Sequence, residues 1–118
     1  MTIVIYHNPK CSKSRKTLEL IESAGITPEI VAYLDTPPDG NSILGLAKLL
    51  EIPVNGPLRR SEAEFREASD LPDLDDDAGL AAWLSQHPRV IERPIVVDST
   101  RKRAVIGRPP ENVRALLA

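Results

Sequence analysis

One cysteine, one methionine, one tryptophan, one phenylalanine and two tyrosines are all that these 118 residues hold of those types. A lone thiol forms no internal disulfide, and Cys11 with His7 and His87 is too small a donor set for a structural zinc site, so no metal is expected. Apolar runs fall well short of the ~20 residues of a membrane span, and the N-terminus lacks the basic, long-apolar, small-residue pattern of a signal peptide. Neither sign of charge dominates. The 15 Lys and Arg stand against 17 Asp and Glu, a formal charge of -2 that gives no overall pull toward nucleic acid or an anionic membrane, so any anion binding has to come from a local cluster. A cytoplasmic chain with no nucleic-acid or membrane partner is expected. With hydrophobics at 42% and charged residues at 27%, it suits one globular domain and not a disordered tail.

The elements alternate along the chain. TIVIYHNP reads as a strand over residues 2–6 that stops at Asn8-Pro9. From Ser14 onward Leu18, Ile21 and Ala24 keep helical spacing, with Gly25 as the C-terminal stop. EIVAYL, residues 29–34, reads as a second strand, and the intervening helix makes the pair a parallel βαβ unit. After the turn at 36–40, Ile43, Leu46, Ala47, Leu49 and Leu50 mark a helix ended by Ile52-Pro53. Helical patterns follow near 61–68 and 78–87. The acidic DLPDLDDD between them lacks the glycine and terminal glutamate of a calcium loop and reads as a helix cap with first-turn acids. RPIVVD and TRKRAVIG read as a hairpin, and a last helix is expected over 110–117. The order is β-α-β, helices, β-β-α.

The lone cysteine sits in HNPKCSKSRKTL, residues 7–18, where the first strand gives way to the first helix. Backbone N–H groups at a helix start carry partial positive charge and favour a thiolate or an oxyanion. Lys10, Lys13, Arg15, Lys16 and a contact from His7 add cationic character, and together these features predict a thiol pKa below its usual value of about 8.5. The flanking charges also argue against burial, so an exposed, reactive Cys11 is expected over an inert core cysteine. A phosphatase-type loop needs arginine six residues beyond the cysteine, where this chain has Thr17. Three residues beyond it stands Ser14, where a C-x-x-C redox protein carries its resolving cysteine. Any adduct at Cys11 therefore has to be resolved by a thiol from another molecule.

HNPKCSKSRKTL, together with ERPIVV (92–97) and GRPPENV (107–113), resembles the glutaredoxin-dependent arsenate reductase family, and its short YfgD-like branch in particular, over essentially the whole chain. The resemblance implies an α/β, thioredoxin-like fold, βαβ and ββα halves with a helical insertion at about 41–88, in a single domain over 1–118. It implies that Cys11 attacks arsenate, that glutathione joins the arsenic as co-substrate, and that glutaredoxin completes reduction to arsenite, with no bound cofactor. It makes Cys11 the nucleophile, with His7, Ser14 and Arg15 shaping its loop. Arg59, Arg93 and Arg108 become the oxyanion-binding arginines, and Pro94 a cis-proline facing the thiol. Arg60, beside Arg59, leaves that register open by one.

Guanidinium forks suit a tetrahedral oxyanion better than lysine does, which agrees with the three arginines. Arg93 and Arg108 each precede a proline that fixes the local backbone. The chain departs from the long reductases in carrying Ser12-Lys13 in place of a Gly-Thr pair, and its end at Ala118 reads as lacking their C-terminal extension. Two other functions stay open: a monothiol redox or deglutathionylating module, and a regulatory adaptor without catalysis. Adaptor relatives typically carry C-x-x-C, so Ser14 weighs against the second.

Overall fold

Alternate burial sets the first strand of the fold. In β1 (Ile3–Tyr6), Ile3 and Ile5 are buried while Val4 and Tyr6 are half-covered. The computed structural model describes residues 2–117, which divide into two units, 2–33 with 93–117, and 34–92.

In the first unit β1 leads through a short loop to α1 (Ser12–Ser23), which buries Ser14, Thr17 and Ile21 along one stripe. Gly25 ends it with a positive φ of 80°, which a side chain would resist, and its N–H donates to the Glu22 carbonyl at 2.9 Å. The chain returns as β2 (Glu29–Val31), parallel to β1 with Ile5 opposite Ile30. β2 is shorter than the expected 29–34. β1 has already turned away at Asn8-Pro9, the His7 N–H donates to the Val31 carbonyl, and the register between β1 and β2 ends at Tyr6 opposite Val31.

β3 (Ile95–Asp98) pairs antiparallel with the other edge of β1, and β4 (Arg103–Ile106) pairs antiparallel with β3, giving the order β2-β1-β3-β4. Every residue of β3 is buried, which explains why IVVD is a continuous run and not an alternating one. The expected last helix divides into a 3-10 turn at Pro110–Val113 and α5 (Arg114–Leu117). Ile3, Ile5, Ile21, Val96, Val113 and Leu116 form the core between sheet and helices.

The second unit is helical. α2 (Gly40–Leu50) starts at Asp39, whose carboxylate accepts the Ser42 N–H at 2.8 Å, and it ends at Glu51 in the left-handed region. The pattern near 61–68 yields only α3 (Ala63–Arg66), a single turn that buries none of its residues and so gains little from packing. α4 (Asp77–Gln86) is capped by Asp76, which accepts the Gly79 N–H at 3.1 Å, the role expected of the acidic segment. Its Leu80, Ala81, Trp83 and Leu84 are buried, as are Ile43, Leu46 and Ala47 of α2, against which it packs. Trp83 donates to Asp70 at 3.0 Å and stacks on His87 with ring centroids 4.1 Å apart. Among the described residues no helix is long and apolar enough to cross a membrane.

Candidate active site

Cys11 occupies the N-cap position of α1, with extended backbone, φ -96° and ψ 124°. Asn8 folds the approach. Its carbonyl accepts the Cys11 N–H at 3.0 Å, its side-chain oxygen accepts the Lys10 N–H at 3.0 Å, and its own N–H donates to the Ser14 hydroxyl at 3.1 Å. Ser14 is fully buried, so this hydroxyl is committed to closing the loop. Arg15 reaches back to the Pro9 carbonyl at 2.9 Å, fixing the loop from its exposed side.

Two arginines come to the thiol from the strands. Arg108 follows β4; its Nε donates to the Arg93 carbonyl at 2.7 Å, and its Nη2 stands 3.9 Å from the Cys11 sulfur. Arg93 precedes β3, and its Nε and Nη1 are buried without a hydrogen-bond partner. Its charge acts on Cys11. The Arg93-Pro94 and Arg108-Pro109 bonds are both cis. Gly107 lets these segments approach: a Cβ there would lie 2.6 Å from the Thr17 hydroxyl and 2.8 Å from Cγ of Pro94. The Gly107 N–H donates to the Pro94 carbonyl at 2.9 Å.

Burial alone would push the Cys11 thiol up. The Ser14 and Lys13 backbone N–H groups, then the Arg93 charge and the Arg108 hydrogen bond, outweigh it, and the net direction is down. The sulfur makes no side-chain capping bond in the ordinary sense, yet these first-turn donors favour its anion.

Cys11 is only 9% exposed, against the expectation of an exposed thiol. The cationic side chains that argued against burial, Lys10, Lys13, Arg15 and Lys16, lie in solvent while the thiol turns inward. The lowering comes first from the main-chain N–H groups expected at the helix start, and then from the Arg93 charge and the Arg108 hydrogen bond, in place of the contribution expected of the neighbouring cations. His7 adds no cation: it is 7% exposed, its Nδ1 is buried without a partner, and burial followed by the Arg15 charge lowers its pKa, favouring the neutral ring.

Cys11, Ser14, Arg93, Pro94 and Arg108 thus belong to one unit, as do His7 and Arg15. Arg59 belongs to the other, where its Nη1 donates to Glu62 at 2.8 Å and to the Arg89 carbonyl at 3.3 Å. Arg60 lies there too, 5.9 Å from the centre of the Phe65 ring. Sequence reasoning missed Asn112. Its amide donates to the carbonyls of Ile106 and Arg108, at 3.2 and 3.1 Å, and its only trace in the sequence is its place in GRPPENV. It also missed Asn8 as the loop's organiser, for which the Asn-Pro pair was a signal.

A thioredoxin-like α/β fold with one thiol at the start of its first helix is the class this architecture defines. The chain belongs to the ArsC family, whose model matches residues 6–116. It is 44% identical over 122 residues to a Neisseria meningitidis protein named arsenate reductase, covering 98% of this chain and 97% of that one. It is 42% identical to the Escherichia coli protein YfgD, over 94% of this chain and 92% of the relative. Among solved structures, an arsenate reductase from Vibrio cholerae superposes with a TM-score of 0.86 at 42% identity, covering 98% of this chain and 97% of that one.

Proposed function

We propose that this protein is an arsenate reductase in which Cys11 is the nucleophile and glutathione with glutaredoxin completes the reduction. The observation that carries the reading is the pair of buried, unpartnered N–H positions on Arg93, in the same unit as a thiol whose ionisation Arg93 and Arg108 both favour. Buried donors without acceptors are costly, and an oxyanion beside the thiol would satisfy them. Homologues named arsenate reductase support arsenate as that oxyanion.

The Cys11 thiolate forms a bond to arsenic, and one arsenate oxygen, protonated, leaves as water. The guanidinium groups of Arg93 and Arg108 hold the remaining oxygens and offset the charge that gathers as sulfur approaches. Cys11 is the only cysteine and the Ser14 hydroxyl is engaged with Asn8, so the next thiol comes from outside. Glutathione joins the arsenic as a second oxygen leaves as water. The glutaredoxin thiolate then takes the glutathione sulfur as a mixed disulfide and leaves its electron pair on arsenic, and water cleaves the Cys11–arsenic bond to release arsenite and restore the thiol. Over the cycle arsenate gains two electrons and loses one oxygen as water, while two thiols become one disulfide. Arg59 is proposed as a third oxyanion ligand from the family likeness alone.

The test is NADPH oxidation coupled through glutathione reductase, glutathione and glutaredoxin, with and without arsenate. Arsenate-dependent oxidation that disappears in Cys11→Ser is expected. Oxidation driven by a glutathione mixed disulfide and not by arsenate would replace the reading with a monothiol redox module, and no oxidation with either would remove catalysis.

A further inference from the structure

Arg108 is held at two ends. At the side-chain end, Nε donates to the Arg93 carbonyl at 2.7 Å, which turns Nη2 toward Cys11. At the main-chain end, Asn112 gathers the segment that presents it. Its Nδ2 donates to the Ile106 carbonyl at 3.2 Å and the Arg108 carbonyl at 3.1 Å, and its own N–H donates to the Pro109 carbonyl at 3.0 Å. One residue therefore binds three carbonyls within four consecutive positions. The amide has to face them with nitrogen, because its oxygen would set three acceptors together.

The strands explain why such a clamp is required. β4 ends at Ile106, where the ladder to β3 stops at the Ile95 pairing, so Gly107, Arg108 and Pro109 have no strand to hold them. Gly107 is anchored by its N–H to Pro94, and Pro109 has no N–H to give. Asn112 supplies donors to the carbonyls of residues 106 and 108, on either side of Gly107, and so bears on the backbone that carries the Arg108 side chain. Asn112 stands at the surface, where a residue needed only for packing would not be placed.

We propose that Asn112 is a positioning residue for the candidate active site: by clamping the Ile106 and Arg108 carbonyls it aims the Arg108 guanidinium at Cys11 and at the oxyanion bound there. Its bearing on arsenate rests on the function proposed above. Its bearing on the thiol does not, and the test separates the two.

The experiment is a double-mutant cycle on wild type, Asn112→Ala, Arg108→Ala and the double variant, reading the rate of Cys11 alkylation by a neutral reagent against pH. Asn112→Ala should slow alkylation at neutral pH by roughly two- to tenfold, the range of one misplaced hydrogen bond. The pH inflection should move up toward that of Arg108→Ala. In the Arg108→Ala background the same change should have no effect, because the residue acts through Arg108. An unchanged profile with Arg108 present, or an equal loss in both backgrounds, overturns the proposal. Thermal melts accompany each variant. Should Asn112→Ala fail to fold, Asn112→Gln, which keeps an amide but displaces it by one methylene, takes its place under the same criteria. The assay contains no arsenate, so a positive cycle beside absent arsenate reduction would remove the substrate and leave Asn112 in its role.

Discussion

Arg93 carries buried Nε and Nη1 groups with no protein acceptor, an arrangement that natural folds avoid unless a ligand supplies the acceptor. A residue kept for binding and not for folding should be dispensable to stability. Arg93→Met is accordingly expected to melt no lower than wild type and to lose arsenate reduction by roughly 10- to 100-fold, the equivalent of one or two charge-assisted hydrogen bonds. A thermal melt beside the coupled assay checks both halves; a variant that keeps wild-type turnover, or loses it only by unfolding, contradicts the assignment. Arg108→Lys should recover part of what Arg108→Ala loses, since it keeps the charge but not the fork. Cys11 itself was legible as the reactive residue, because a lone thiol at a strand-to-helix junction has a physical signature in sequence. What was not legible was the direction its side chain takes. The helix-start N–H groups were legible as acting on the sulfur, whereas the surrounding lysines described the outside of the loop and the side chains that act on the thiol are two arginines about 80 and 100 residues further along.

At the scale of single elements, α1 was readable from the spacing of Leu18 and Ile21 and the Gly25 stop, and α4 from its acidic cap and the apolar residues Leu80, Ala81, Trp83 and Leu84. α3 was readable in place but not in length, because Glu62–Glu67 offers the composition of a helix without a face to bury. The end of β2 was lost for a different reason. EIVAYL has strand propensity throughout, but strands end where their partner does, and β1 leaves at Asn8. Two changes test these accounts. Ile21→Ala removes a fully buried side chain from the α1 stripe and should cost about 2–5 kcal/mol in denaturant unfolding. Asp76→Ala removes the acceptor at the start of α4 and should cost about 1 kcal/mol, with Asp76→Asn keeping most of it. A loss from Asp76→Ala no larger than that from Asp76→Asn would show that the cap bond contributes nothing.

For the whole molecule the informative variable is pH. Asp98, buried at the end of β3, is pushed up by burial, but the Arg101 N–H, side chain and charge and the Thr100 N–H more than reverse this, leaving its carboxyl below the usual range. Asp39 is held down by the Ser42 N–H and hydroxyl at the start of α2, in the other unit. Both pKa values are lower folded than unfolded, so the stability they supply is complete above about 3.9, the ordinary Asp value, and is lost as pH falls through the folded values. Acid unfolding followed by circular dichroism should begin below about pH 4. Arg101→Ala should move its onset to higher pH, by freeing the buried Asp98 carboxyl of its partner and breaking the 2.7 Å tie from Arg101 to the Leu116 carbonyl. An onset unmoved in that variant would exclude Asp98 as a contributor.

Folding also joins the scales at Cys11, since the first turn of α1, the strand ends and the GRPPENV turn all act on one sulfur. Its thiolate can be followed by ultraviolet absorbance during a pH titration of the folded protein, of Arg93→Ala and of Arg108→Ala. The account predicts an inflection below the free-cysteine value of about 8.5 in the wild type and a higher one in each arginine variant. A wild-type inflection at or above that value, or one that neither arginine moves, would contradict it.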